Sequence, residues 1–172
     1  MIKCTWERFK KWLAVHHPSL LDDLQPPASS LELQALTQRL GVALPGEFMA
    51  CLEVHNGQAG RAVYLFDRHA FLSIAHILMH WKTWNDLLED GDFDERVAHG
   101  ATGVQPVWWD PSWIPFATNG GGDYLCIDMR PAAGGTPGQV IEVLHDTPDR
   151  RLLAPTFDDW FGRFVDGKLH SH

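Results

Sequence analysis

Trp113-Ile114-Pro115-Phe116-Ala117-Thr118-Asn119-Gly120-Gly121-Gly122-Asp123-Tyr124-Leu125-Cys126-Ile127-Asp128-Met129 is the stretch whose reading decides the fold. Trp113 to Phe116 reads as a strand, Asn119 to Asp123 as a turn, and Tyr124 to Met129 as a second strand. Alternation along the latter puts Leu125, Ile127 and Met129 on one face and Tyr124, Cys126 and Asp128 on the other. The loop Gly134-Gly135-Thr136-Pro137-Gly138 separates it from Val140 to Leu144, predicting an antiparallel hairpin with a long connection. Upstream, Val107-Trp108-Trp109 runs as a strand into the Asp110-Pro111 turn. The three glycines do not make a phosphate loop. Such a loop needs Lys-Ser/Thr and then a helix, whereas here an acid, Asp123, and a strand follow.

The N-terminal third reads as helix. Trp6, Phe9 and Leu13 share a face within Thr5–Val15, and Pro18 ends that segment. Pro26-Pro27 forces an extended approach to Ser29, which pairs with Glu32 as a capping box. Leu33, Leu36 and Leu40 face inward on the second helix, and Gly41 stops it. Pro45 opens a third helix with Phe48, Cys51, Leu52 and His55 on one face, and Asn56-Gly57 ends it. Val63 to Phe66 is a candidate strand. A fourth helix is predicted over Ser73 to Leu88, with Ile74, Ile77, Leu78, Trp81 and Leu88 in one stripe. The last helix starts at Thr156 as its cap, with Asp158 and Asp159 in the first turn.

At 172 residues and 45% hydrophobic, the chain suits one domain, 1–172, that needs neither disulfide nor structural metal to fold. It carries 14 basic against 22 acidic residues, a net charge of −8. That argues against nucleic acid, whose phosphates need clustered Lys and Arg, and against an anionic membrane surface. Charged residues punctuate the first turns, so no secretory leader is expected, and no apolar run nears the ~20 residues of a membrane span. A cytoplasmic protein is expected. Cys4, Cys51 and Cys126 are far apart and fit no zinc or disulfide spacing.

No cofactor fingerprint, metal site or catalytic motif stands out. His76 and His80 share a helical face but lack the intervening Glu of a metalloprotease helix. His145-Asp146, with Asp149 nearby and Asp128 elsewhere, is a possible acid–base set for a hydrolase, although the composition of His145 to Asp149 favours turn chemistry between strands. The strongest electrostatic feature lies at Asp86–Glu95, with six carboxylates and no Lys or Arg. Asp90, Asp92, Asp94 and Glu95 are therefore candidates for steering a basic partner. Trp108 or Trp109 is a candidate anchor, since adjacent strand residues face opposite ways and indoles are frequent interface hot spots.

Six short elements in order resemble the SMI1/KNR4 family, also called the SUKH superfamily. They are Pro26-Pro27-Ala28-Ser29 before Glu32 and Leu36; Leu40 to Phe48 with Leu44-Pro45; His55-Asn56-Gly57; Trp113 to Ala117; Asn119 to Asp128; and Val140-Ile141 with His145-Asp146, closed by Thr156 to Phe161. The resemblance implies an α+β fold, a twisted, mostly antiparallel sheet flanked by helices in a single domain. It implies binding without catalysis: a bacterial immunity protein that neutralises a cognate, basic toxin by occlusion, or a regulatory scaffold with several partners. Residues from Gly60 to about Gly103 do not align with the family pattern. The segment 61–120 holds 4 basic and 8 acidic residues, half of the net excess.

Overall fold

The computed structural model describes residues 1–171. Its elements run α1 (Ile2–His16), α2 (Pro18–Asp23), α3 (Ser30–Leu40), α4 (Gly46–Val54), β1 (Ala70–Phe71), α5 (Ile74–Glu89), β2 (His99–Gly100), β3 (Trp113–Thr118), β4 (Tyr124–Asp128), β5 (Gln139–Val143), β6 (Asp149–Ala154) and α6 (Phe157–Leu169). The strands form one sheet in the order β1-β3-β4-β5-β6-β2, antiparallel except for β2 beside β6. This is the expected α+β fold with helices flanking a mostly antiparallel sheet.

Local chemistry sets most boundaries. Ser29 and Glu32 make both bonds of the capping box, and Gly41 closes α3 in the left-handed conformation at φ 71°. Ser73 and Thr156 accept from the third backbone N–H of α5 and α6. Pro18 does end α1, but it then opens the short α2 at its first position, where its missing N–H costs nothing. The strand expected over Val63–Phe66 is absent. The buried side chain of Gln58 takes the place of a neighbouring strand there, accepting from the N–H of Leu65 and Phe71 and donating to the carbonyl of Val63.

The alternation read in β4 divides two cores. Leu125 and Ile127 join Ile114, Phe116 and Val140 under α1, α4 and α6, where Trp6, Phe9, Phe157 and Phe161 interlock. Tyr124 and Cys126 join Trp113, Ile141 and Val143 on the other face. That face is closed by Trp84 of α5 and by Ala98, Val104, Trp108 and Trp109. All five residues of β4 are consequently buried.

Candidate functional site

The second core determines what the surface above it displays. Trp84 Nε1 donates to Tyr124 Oη at 3.1 Å, and that hydroxyl meets His80 Nδ1 at 2.7 Å. Burial lowers the His80 pKa, with the neighbouring His76 adding to the effect. His80 is thus engaged with β4 through Tyr124, whereas His76 is exposed.

Trp109 packs between Trp84 and Trp113 at 5.3 and 5.8 Å, and its Nε1 donates to Asn85 Oδ1 at 2.8 Å. Trp108 lies under the guanidinium of Arg150 at 4.5 Å, with Arg96 at 5.0 Å from the same ring. Only 7% of Trp108 and 2% of Trp109 is exposed. The expectation that one of them anchors a partner is therefore corrected. The segment is irregular rather than a strand, so nothing forces adjacent side chains to opposite faces, and both indoles turn inward.

The acidic candidates stand outside this core. The chain leaves α5 at Asp90 and folds through a turn in which Asp92 N–H bonds Leu87 O and Asp94 N–H bonds Gly91 O. Gly91 adopts φ 82°, and Asp94 Oδ2 lies so near it that a Cβ there would sit 2.8 Å away. Phe93 pins the turn to the core by stacking on Trp84 at 5.3 Å. The residues between then point outward: Asp90, Asp92, Asp94 and Glu95 are all exposed. Among the described residues, ion pairs in this region are limited to Lys82 with Asp86, so these four carboxylates are not neutralised from within the chain. Phe93 is the functional neighbour that sequence reasoning missed. Its signal was an aromatic residue inside a run of acids, with no reason to be there unless it packs.

The residues proposed for hydrolysis do not meet. Asp128 pairs with Gln139 at one end of the β4–β5 ladder, whereas His145 follows Val143, the partner of Tyr124, at the other end. Four residue steps separate those ends by roughly 14 Å. Asp128 is buried, with its oxygens held by Gln139 Nε2 and the N–H of Arg130. Burial raises its pKa, and the nearby Asp110 acts in the same direction.

His145 instead meets Asp123, with Nδ1 and the backbone N–H both within 2.9 Å of Oδ1. Asp123, His145 and Asp146 are the one group of three whose ligand atoms lie within 4.8 Å of one another among the described residues. A divalent ion would suit such a donor set. Asp123 is already committed, however. It takes three bonds, from His145 twice and from Asn119 Nδ2, which clasp the β3–β4 and β5–β6 turns together.

Among the described residues, no helix is long and apolar enough to cross a membrane. Buried Cys51 and Cys126 belong to different cores on opposite faces of the sheet and cannot pair.

Comparison with known proteins agrees with this architecture. The profile of the SMI1 / KNR4 family (SUKH-1) matches residues 27–163. A glucan synthesis regulatory protein of Neurospora crassa is 21% identical, the match covering 89% of this chain and 36% of that protein. The cell wall biosynthesis/cell cycle regulator smi1 of Schizosaccharomyces pombe is 25% identical over 91% of this chain and 34% of its own length. The cell wall assembly regulator SMI1 of Saccharomyces cerevisiae is 20% identical over 94% and 39%. This chain spans little more than a third of the length of these relatives. With its capping box, Asn56-Gly57 turn, central hairpin and the first half of the closing α6 inside the matched range, the chain belongs to the SMI1/KNR4 family.

Proposed function

We propose that this chain is a non-catalytic, cytoplasmic protein-binding domain of the regulatory type, and that it meets its partners through the acidic turn at the end of α5. The observation that carries the reading is the set of four exposed carboxylates, Asp90, Asp92, Asp94 and Glu95, unpaired and held on a rigid base by Phe93. A basic partner is the natural counterpart, because such a patch raises the encounter rate by long-range attraction. The relatives are named for regulating cell-wall synthesis and assembly, which favours a regulatory role over neutralising a toxin. Occlusion of a basic toxin is the narrower reading, and it rests on the acidic turn alone.

The test is affinity capture from the protein's own cells at low and high salt, with Asp90→Lys, Asp92→Lys, Asp94→Lys, Glu95→Lys as the comparison chain. A basic protein held by the wild type at low salt and lost from the variant supports the proposal. The same proteins retained by both would overturn it. If the captured protein is a toxin, occlusion further requires that its activity vanish in the complex.

A further inference from the structure

Helices α3 and α5 lie side by side with their N-termini together. Asn56 joins them there. Its Nδ2 donates to Glu32 Oε2 at 3.1 Å, and its Oδ1 accepts from the N–H of Ile74 at 2.8 Å. Between the helices runs a groove of about 440 Å³, lined by Glu32, Ala35 and Arg39 of α3 and by Ile74, Ala75, Leu78, Met79 and Lys82 of α5, with Glu32 already held by Ser29 N–H and Asn56 Nδ2. It is open because alanines face it from both helices. Met79 is 52% exposed, and Leu31, one turn before Ala35, is 77% exposed. Large apolar side chains this exposed on two adjacent helices mark a face built to be covered.

The charges along the groove specify the cover. On α5 the stripe Ala75, Leu78, Met79, Lys82, Asp86, Glu89 follows i, i+3, i+4, i+7, i+11, i+14 and passes from apolar to basic to acidic. Arg39 stands beside Lys82 at the basic step, and among the described residues it makes no ion pair.

We propose that this groove binds an amphipathic helix of a partner protein that carries, in matching order, an apolar stripe, a carboxylate and then a lysine or arginine. The apolar stripe covers Leu78 and Met79, the carboxylate meets Arg39 and takes the place of Asp86 on Lys82, and the base meets Glu89 and the released Asp86. Helix-in-groove docking of this kind uses side chains at i, i+3, i+4 and i+7. The proposal rests on the protein-binding reading but uses residues other than the acidic turn.

The probe is a synthetic, fluorescein-labelled, alanine-rich helix with leucines at i, i+3 and i+4, glutamate at i+7 and lysines at i+11 and i+14, made in both chain directions. A control peptide has the two kinds of charge exchanged. Anisotropy measures binding, and amide chemical shifts locate it. The matched peptide should perturb residues 31–39 and 75–89 and bind about tenfold tighter than its control. Arg39→Glu should erase that preference. Ala75→Trp with Met79→Glu, both at solvent-facing positions, should abolish binding at an unchanged melting temperature. No binding, shifts mapping elsewhere, or equal affinity for the two peptides overturns the proposal. The two readings separate in the capture experiment. A partner retained by the Ala75→Trp, Met79→Glu chain but lost from the acidic-turn variant sinks the groove and leaves protein binding intact.

Discussion

Arg150 is the residue whose loss should reach furthest. Only 1% of it is exposed, yet no carboxylate pairs with it among the described residues. Its guanidinium is used up on backbone carbonyls: Nε on Val107 at 3.2 Å, Nη2 on Trp108 at 2.8 Å, and Nη1 on Leu144, Thr147 and Asp149 at 3.0 to 3.1 Å. Burial pulls its pKa down to about 10, which still leaves it protonated at neutral pH. Arg150→Met keeps much of the stem and removes all five donors. Charge-assisted bonds are worth about 1.5–3 kcal/mol each, but the wild type also bears several kcal/mol of guanidinium desolvation. The difference should fall at about 3–5 kcal/mol, the range seen when one side of a buried charged contact is deleted. For a chain of this length that lowers Tm by roughly 6–20 °C. Urea denaturation reads the loss, and amide exchange across residues 104–110 and 144–149, whose carbonyls the guanidinium holds, reads its place. Arg150→Lys, with donors at one point only, should fall between. An Arg150→Met chain within about 1 kcal/mol of wild type would refute the claim that this side chain holds the 104–110 segment and the β5–β6 turn together.

Phe93→Ala should cost about 1–2 kcal/mol, less than for a fully buried ring, and should raise amide exchange across residues 90–96 before the rest of the chain. Unchanged exchange there would detach Phe93 from the acidic turn. Asp23 is buried, which alone would raise its pKa. The bonds from Gln58 and from the N–H groups of Arg61, Gly60 and Ala62 outweigh that and hold it below the usual carboxylate range. Its contribution is therefore present at neutral pH and lost as pH falls through the depressed native value. Asp23→Asn should cost about 2 kcal/mol at pH 7, and the gap to wild type should close in acid, by urea titration at stepped pH. Asp128 has the opposite sign. Its native pKa is raised, so wild-type stability falls as pH climbs from the ordinary carboxylate value through the raised one. Asp128→Asn should then gain on wild type as pH rises toward 7, and a parallel pair of pH profiles would contradict the assignment.

What was legible in the sequence was what short-range chemistry enforces. Ser29 with Glu32, Gly41, Ser73 and Thr156 act within one helical turn, and each sits where its spacing puts it. The alternation of Tyr124 to Asp128 was also readable, because each face of the sheet has its own core and neither tolerates a register slip. The misses share a different cause. β2 is two residues long and exists only because Arg150 and Asp149 lie beside it. β6 opens on Asp149-Arg150-Arg151, which looks like surface until Arg150 is seen to cap five carbonyls. Val63 to Phe66 has strand composition, but its backbone is claimed by one distant glutamine side chain. In each case the decisive partner is remote in sequence.

The same limit separated the two halves of the expected binding site. The four carboxylates are where charge patterning put them, because like charges face water whatever the fold does behind them. The two indoles are not, because burial of a large ring is settled by the cavity available, and the second face of the sheet needed both. This separation has an energetic consequence. Exposed charge mainly sets how fast a partner arrives, while retention depends on apolar surface removed from water. With Trp108 and Trp109 interior, the acidic turn has no anchor of its own except the edge of Phe93. An anchor for a partner steered there has to lie nearby, and α5 leads straight to one. Along its outer stripe Asp86 and Glu89 give way to Lys82 and then to Met79, Leu78 and Ala75 over the groove with α3. A single partner helix laid along α5 would feel the acidic end first and bury its apolar stripe last.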